Sequence, residues 1–160
     1  MLLFLFSSLL FAGDCKPETK YTPFFSTYEI IQCDKGLTEY IMYSKKYWEE
    51  KGYMFKFEED KIYDCPNDEN KKIGKIYVEH DTEFIENMTK DNVSHEAVTL
   101  VGAFYETSVG FAIIKFRKNA EKPHLLMTHE MGHALGFGHT EENCTGYVMN
   151  KWLDKMGNQF

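Results

Sequence analysis

The stretch Pro123-His124-Leu125-Leu126-Met127-Thr128-His129-Glu130-Met131-Gly132-His133-Ala134-Leu135-Gly136-Phe137-Gly138-His139 decides how this chain is read. It carries the pattern H-E-x-x-H-x-x-G-x-x-H, and each fixed position has a mechanical reason. His129 and His133 stand four residues apart, so on a helix they lie one above the other and can grip a single metal ion. Glu130 is one step round the helix, beside the metal, where it can hold and deprotonate a metal-bound water. Gly136 lets the backbone leave the helix through a left-handed turn that a side chain would resist. His139 then returns as a third nitrogen ligand. Three protein ligands leave the fourth tetrahedral position open, which marks a catalytic zinc site rather than a structural one. An isolated H-E-x-x-H turns up by accident. The added glycine and third histidine, in a chain with only six histidines, make accident remote.

The surrounding residues predict a helix over about Pro123 to Leu135, with the proline in its first turn. Leu125, His129 and His133 fall on one side of the wheel; Met127, Met131 and Ala134 fall on the other. A helix apolar nearly all round is a buried one. The expectation is that the histidines face the floor of a cleft while the methionines pack under a sheet.

These residues resemble the signature of the metzincin clan of zinc endopeptidases, which adds a methionine-containing turn shortly after the third histidine. Tyr147-Val148-Met149-Asn150 stands at that distance, so the resemblance gives Met149 the role of an apolar floor under the metal. The wording Gly-His-Ala-Leu-Gly-Phe-Gly-His is most similar to the matrixin (matrix metalloproteinase) branch. Thr140 stands where astacins carry a glutamate. The resemblance covers about residues 123–150, and upstream only the order of elements is similar. It implies an α+β, zincin-type fold, with a twisted, mostly parallel sheet, a backing helix and a buried active-site helix. It also implies a zinc-dependent endopeptidase with one catalytic zinc ion, held by His129, His133 and His139, and Glu130 as general base. Gly136 and Met149 would support the site. The substrate would be a protein or peptide lying extended along the edge strand Val98 to Tyr105. Matrixins continue through a pocket loop into a full C-terminal helix; here only residues 150–160 remain, so the C-terminal subdomain is truncated, with Trp152, Leu153 and Met156 as its apolar side. Some metzincins place an assisting tyrosine two residues after the methionine. Lys151 occupies that position, and Tyr147 is the nearest substitute.

Length and composition agree with one domain over 14–160. Hydrophobic residues make up 43% and aromatic residues 16% of the chain, enough for a packed core. The net charge is −7 with no basic block, which argues against nucleic acid and against stable association with an anionic membrane. A monomer is expected. Met1 to Ala12 is almost wholly apolar but too short to span a bilayer comfortably. It reads as a signal peptide over 1–13, removed near Ala12 or Gly13, which implies a secreted protein. No Lys or Arg precedes the run, and a short anchor or buried N-terminal segment is the other reading.

Cys15, Cys33, Cys65 and Cys144 form an even set in a short exported chain, so two disulfides are expected, with three pairings open. A bridge at Cys144 would pin the loop that carries His139. By resemblance to matrixin prodomains, Cys15 is alternatively an inhibitory thiolate on the zinc, although its surroundings match that motif poorly. Asn87, Asn92 and Asn143 begin Asn-x-Ser/Thr sites.

Elsewhere the pattern predicts a helix from Leu37 to Lys51, stopped by Gly52, and strands at Tyr53 to Phe57, Ile73 to Glu79, Val98 to Tyr105 and Phe111 to Phe116. Ser108 to Gly110 reads as a turn, Asp60 to Lys72 as a surface loop, and Asp81 to Glu96 as irregular. His80, His95 and His124 lack ligand spacing and read as exposed loop residues. Calcium is possible but unsupported: His80-Asp81 and the acidic run Glu58-Glu59-Asp60 lack the spacing of a known calcium loop. Two rival functions remain. One is a deformylase-like amidase, which would lack the third histidine and the methionine turn. The other is a catalytically inactive metzincin-like binding or inhibitor module.

Overall fold

A computed structural model describes residues 15–88, 95–103, 107–152 and 154–160. The leader 1–13, together with Asn92, Tyr105 and Leu153, lies outside them. The described chain is α+β. Its strands are β1 (Thr22–Pro23), β2 (Tyr28–Gln32), β3 (Phe55–Phe57), β4 (Lys75–His80), β5 (Ala97–Ala103) and β6 (Ser108–Phe116). Its α-helices are α1 (Thr38–Glu49), α2 (Thr82–Met88) and α3 (Pro123–Ala134). The strands make one sheet in the order β1-β6-β4-β2-β3, all parallel, while β5 runs antiparallel along β6. No described helix is long and apolar enough to cross a membrane.

The central strands are apolar on both faces, as a covered parallel sheet requires. Ile30, Ile76, Val78 and Ile114 point to the face packed by α1 and α3. Ile31, Tyr77 and Ile113 point to the other face, where Tyr63 and Cys65 cover them. The segment 58–72 therefore does more than a surface loop: Tyr63 N–H donates to Gln32 O (2.9 Å), and the Cys33–Cys65 disulfide ties it to the end of β2.

α1 buries Leu37, Ile41, Ser44 and Trp48, spaced to share one face. That face meets α3 through polar as well as apolar contacts. Ser44 Oγ donates to Met127 O (3.3 Å), and Trp48 Nε1 donates to Thr128 O (2.9 Å). The methionines of α3 thus pack against α1 beside the sheet rather than simply under it. Helix α3 starts at Pro123 as expected and is buried nearly throughout.

Several expectations change. β2 was not anticipated, because Tyr28–Gln32 is short and follows an aromatic stretch without a clear turn. Asp81 to Glu96 is not all irregular: Asp81 Oδ1 accepts from Phe84 N–H (3.0 Å) and caps α2, which Ile85 anchors in the core. Ser108 to Gly110 is the start of β6, not a turn. After Met149 the described residues contain no helix. The chain end folds back instead, Val148 N–H donating to Gln159 O (2.8 Å). The Phe160 ring sits 5.1 Å from Trp48 and 5.2 Å from Phe137.

Candidate metal centre

Helix α3 carries His129 and His133 on the face turned towards β5. The helix then stops in a way its sequence dictates. Gly136 adopts φ 95°, Gly136 N–H donates to His133 O (2.9 Å), and Phe137 N–H donates to Gly132 O (3.0 Å). This pair of bonds is a Schellman closure. It satisfies the last carbonyls of the helix and turns the chain so that His139 comes back beside His133. Any side chain at Gly136 is excluded twice, by its φ and by space: a Cβ would stand 2.1 Å from Tyr21 O. That close approach exists because Lys20 and Tyr21 N–H both donate to Gly136 O (2.9 and 3.0 Å). The N-terminal segment thereby lies along the ligand loop, with an antiparallel bridge from Thr19 to Phe137.

The three imidazoles converge. His133 Nε2 lies 3.0 Å from His129 Nε2 and 3.2 Å from His139 Nε2. The other ring nitrogens of two of them are taken: His129 Nδ1 meets Val148 O and His133 Nδ1 meets Phe137 O, both at 2.7 Å. A carbonyl only accepts, so each Nδ1 carries the proton and each Nε2 presents its lone pair inward. Burial pushes His129 well below the usual histidine range, and burial with the neighbouring His133, Lys20 and Lys151 pushes His139 down to about 4. Lone pairs converging this closely can be held together by one cation. A tetrahedral ion with metal–nitrogen bonds of about 2.0–2.1 Å holds its nitrogens roughly 3.3 Å apart, close to the spacing here. The donor set therefore fits a metal ion. It is the one such convergence of His, Cys, Asp or Glu atoms among the described residues.

Glu130 is buried beside the ligands. The Thr99 hydroxyl on β5 lies 2.6 Å from Glu130 Oε2 and 2.9 Å from Glu130 O. Burial raises the carboxyl above its ordinary value, while His133, the Thr99 hydroxyl and His95 pull it partly back. Thr99 escaped the sequence reading because nothing local marks it; only the pairing of β5 on β6 brings it to α3.

Met149 is fully buried and sits under the helix. A Cβ on Gly132 would be 2.3 Å from its Sδ, so the thioether packs on bare helix backbone. Gly132, an unmarked position of the motif, is thus part of the floor. Thr140 N–H donates to Met149 O (2.9 Å). Asn150, also missed, is fully buried and ties the loop inward, Nδ2 donating to Cys144 O (3.0 Å). Cys144 is bonded to Cys15. The pairings are therefore Cys15–Cys144 and Cys33–Cys65, and Cys15 offers no thiolate to a metal.

The site opens into a cleft of about 910 Å³ lined by β5, α3, the His139 loop and Lys151, Trp152, Asp154 and Met156, with Leu126, His129, Glu130 and His133 on its α3 wall. Leu126, not Leu125, supplies the apolar side chain there. The outer edge of β5 has no strand partner among the described residues. His95 is an exposed loop residue, as expected, and lines this cleft. His124 is wedged against Tyr40 and Tyr43 (4.9 and 5.2 Å), and His80 ends β4 half-buried. The Lys151 ammonium lies 4.9 Å from the Trp152 ring centroid, and Tyr147 makes a parallel bridge to Gln159. Of the carboxylates suggested for calcium, Asp81 pairs with Lys115 (2.8 Å), which also reaches Glu79 (3.1 Å) and Asp68 (3.5 Å), and Glu58 pairs with Lys61 (3.3 Å).

No protein-family model matches the chain, and no curated protein matches it either.

Proposed function

We propose that this protein is a secreted zinc endopeptidase of the metzincin type, nearest the matrixins. The observation that carries the reading is the convergence of three inward Nε2 atoms beside a buried carboxylate, over a methionine floor. The two disulfides support an oxidising compartment. Zinc held by His129, His133 and His139 supplies a Lewis acid that polarises a peptide carbonyl and lowers the pKa of a water towards about 7.

The chain's own groups do the rest. Glu130 takes a proton from the attacking water and returns it to the leaving amine. Thr99 serves both states of that carboxyl. Its single hydroxyl proton points to Oε2 while Glu130 is ionised. When Glu130 is protonated, that proton swings to Glu130 O and the hydroxyl oxygen accepts from the acid. Both states of the buried carboxyl thus stay hydrogen-bonded. The unpaired edge of β5 suits an extended peptide added as a further strand, its main chain fixing the scissile bond beside Glu130.

Purified protein should contain one zinc per chain and cleave casein or gelatin in a chelator-sensitive way. Glu130→Ala should keep the zinc and lose cleavage. Full activity in that variant defeats the general-base role, absence of a transition metal defeats the site, and zinc without cleavage in the unmodified protein points to an inactive binding module.

A further inference from the structure

The cleft carries a cationic rim that the metal chemistry does not use. Lys20 and Lys151 are separated by almost the whole chain, yet both line the cleft at His139. Lys20 arrives there because its backbone is pinned to Gly136 O and because Gly138 has no side chain. A Cβ on Gly138 would stand 3.0 Å from Lys20 Cε, so the lysine stem lies over that glycine, next to His139. Lys151 comes from the other end, its Nζ 4.9 Å from the Trp152 ring centroid. Neither ammonium forms an ion pair among the described residues. Lys20 and Lys151 both bring positive charge to bear on the His139 ring. Of the other carboxylates lining the cleft, Glu96 is taken by Arg117 (3.4 Å), and Glu121 and Asp154 share the lining with Lys122. Two cations without an ion pair among the described residues, beside the candidate metal site of a chain with net charge −7, are placed to receive an anion.

Resting on the peptidase reading, we propose that Lys20 and Lys151 determine specificity by receiving a peptide carboxylate that flanks the scissile bond on the His139 side. The carboxylate is that of an internal Asp or Glu or of the peptide's own C-terminus. The rim sets which peptides dock and takes no part in bond breaking.

Binding tests this apart from turnover. Zinc-loaded Glu130→Ala is titrated with fluorescent peptides and followed by anisotropy. Two peptides are blocked at both ends and differ only in a Glu or Lys at the flanking position; a third has no acidic residue but a free C-terminal carboxylate. Two exposed charge pairs amount to a preference of roughly threefold to tenfold for the carboxylate-bearing peptides, shrinking as salt rises towards about 0.5 M. The internal and terminal arms tell which carboxylate is read. Lys20→Glu with Lys151→Glu should invert the preference, whereas Lys56→Glu, on β3 away from the cleft, should leave it intact. If the double reversal disturbs zinc content, Lys20→Met with Lys151→Met should abolish the preference instead. Equal binding of all three peptides, or a preference that survives the lysine substitutions, overturns the proposal. Cleavage without any charge preference sinks this inference alone, and a charge preference in a protein that cleaves nothing sinks the peptidase reading alone.

Discussion

Gly132→Ala sets two physical effects against each other at the heart of the site. By helix propensity alone, replacing a glycine inside α3 should stabilise the protein by about 1 kcal/mol. Packing argues the reverse. The new Cβ would meet Met149 Sδ at 2.3 Å, Trp48 Cζ2 at 2.8 Å and Met149 Cε at 3.0 Å. Ordinary contacts of this kind are about 3.5–4.0 Å, so the thioether must withdraw by more than about 1 Å. Trp48 cannot yield easily, being fully buried and held by its bond to Thr128 O. Overpacking of this sort costs about 1–3 kcal/mol, so the net change is a loss of up to about 2 kcal/mol. The displacement also reaches the metal ligands, because Met149 adjoins Val148, whose carbonyl orients His129. Zinc affinity should fall roughly tenfold, the lower end for losing such a supporting contact. Urea unfolding of the metal-free protein reads the first quantity, and competition with a chromophoric chelator reads the second. Adding Met149→Ala should recover part of the loss through a coupling of about 1 kcal/mol. A stabilised metal-free protein with unchanged zinc affinity would refute the claim that Met149 packs on the helix backbone.

Thr99→Val should leave zinc content unchanged and lower kcat roughly tenfold to a hundredfold, the worth of a hydrogen bond to a charged group, with little change in KM; Thr99→Ser should restore most of it, and steady-state kinetics on one peptide decide. Breaking Cys15–Cys144 with paired serines opens a span of 129 residues, which chain entropy values at up to about 5 kcal/mol. It should also weaken zinc binding, because it frees the loop that carries His139. Breaking Cys33–Cys65, with a span of 32 residues, should cost up to about 4 kcal/mol and leave zinc affinity alone, as unfolding and chelator competition on both variants will show. Burial raises Asp81, but Lys115 and the Phe84 N–H outweigh it and hold the carboxyl below its usual range. Its stabilisation is therefore complete above the unfolded value of about 3.9 and lost as pH falls through the lower folded value. The stability gap between the original protein and Asp81→Asn, followed by urea unfolding of the metal-free form, should be constant near neutrality and close below about pH 4; a gap that widens on acidification contradicts the assignment.

What the sequence made legible is what a single helix and its exit can encode. Pro123, the two histidines four apart, and Gly136 specify α3, its end and the return of His139 within 17 residues, and the structure follows them closely. The α1 helix and four of the strands were legible for the same reason, local periodicity. β2 was not, since five residues between an aromatic cluster and a cysteine give no period to count. Nor was α2, where the signal was a single capping aspartate in a charged stretch.

The supports of the site were hidden for a different reason, which bears on how such a centre is built. Apart from the Phe137 carbonyl on His133, the groups that hold the site come from outside the motif. Thr99 reaches Glu130 across 31 positions, and Trp48 reaches Thr128 across 80. The segment at Lys20 reaches Gly136 from near the start of the chain. A short motif can state which atoms meet the metal, because helix geometry alone brings them together. It cannot state what keeps them there, because a ligand is held only by atoms outside its own turn. With no C-terminal helix among the described residues, that holding falls to the N-terminal segment, the Cys15–Cys144 bond and the returning chain end at Phe160. Ligand placement in this protein is therefore coupled to residues 15–21 and to the segment 158–160. Removing residues 158–160 should accordingly lower zinc affinity through Trp48 and Phe137 although none of them touches a histidine, and an affinity indifferent to that truncation would show that α3 and its Schellman turn hold the ligands without help.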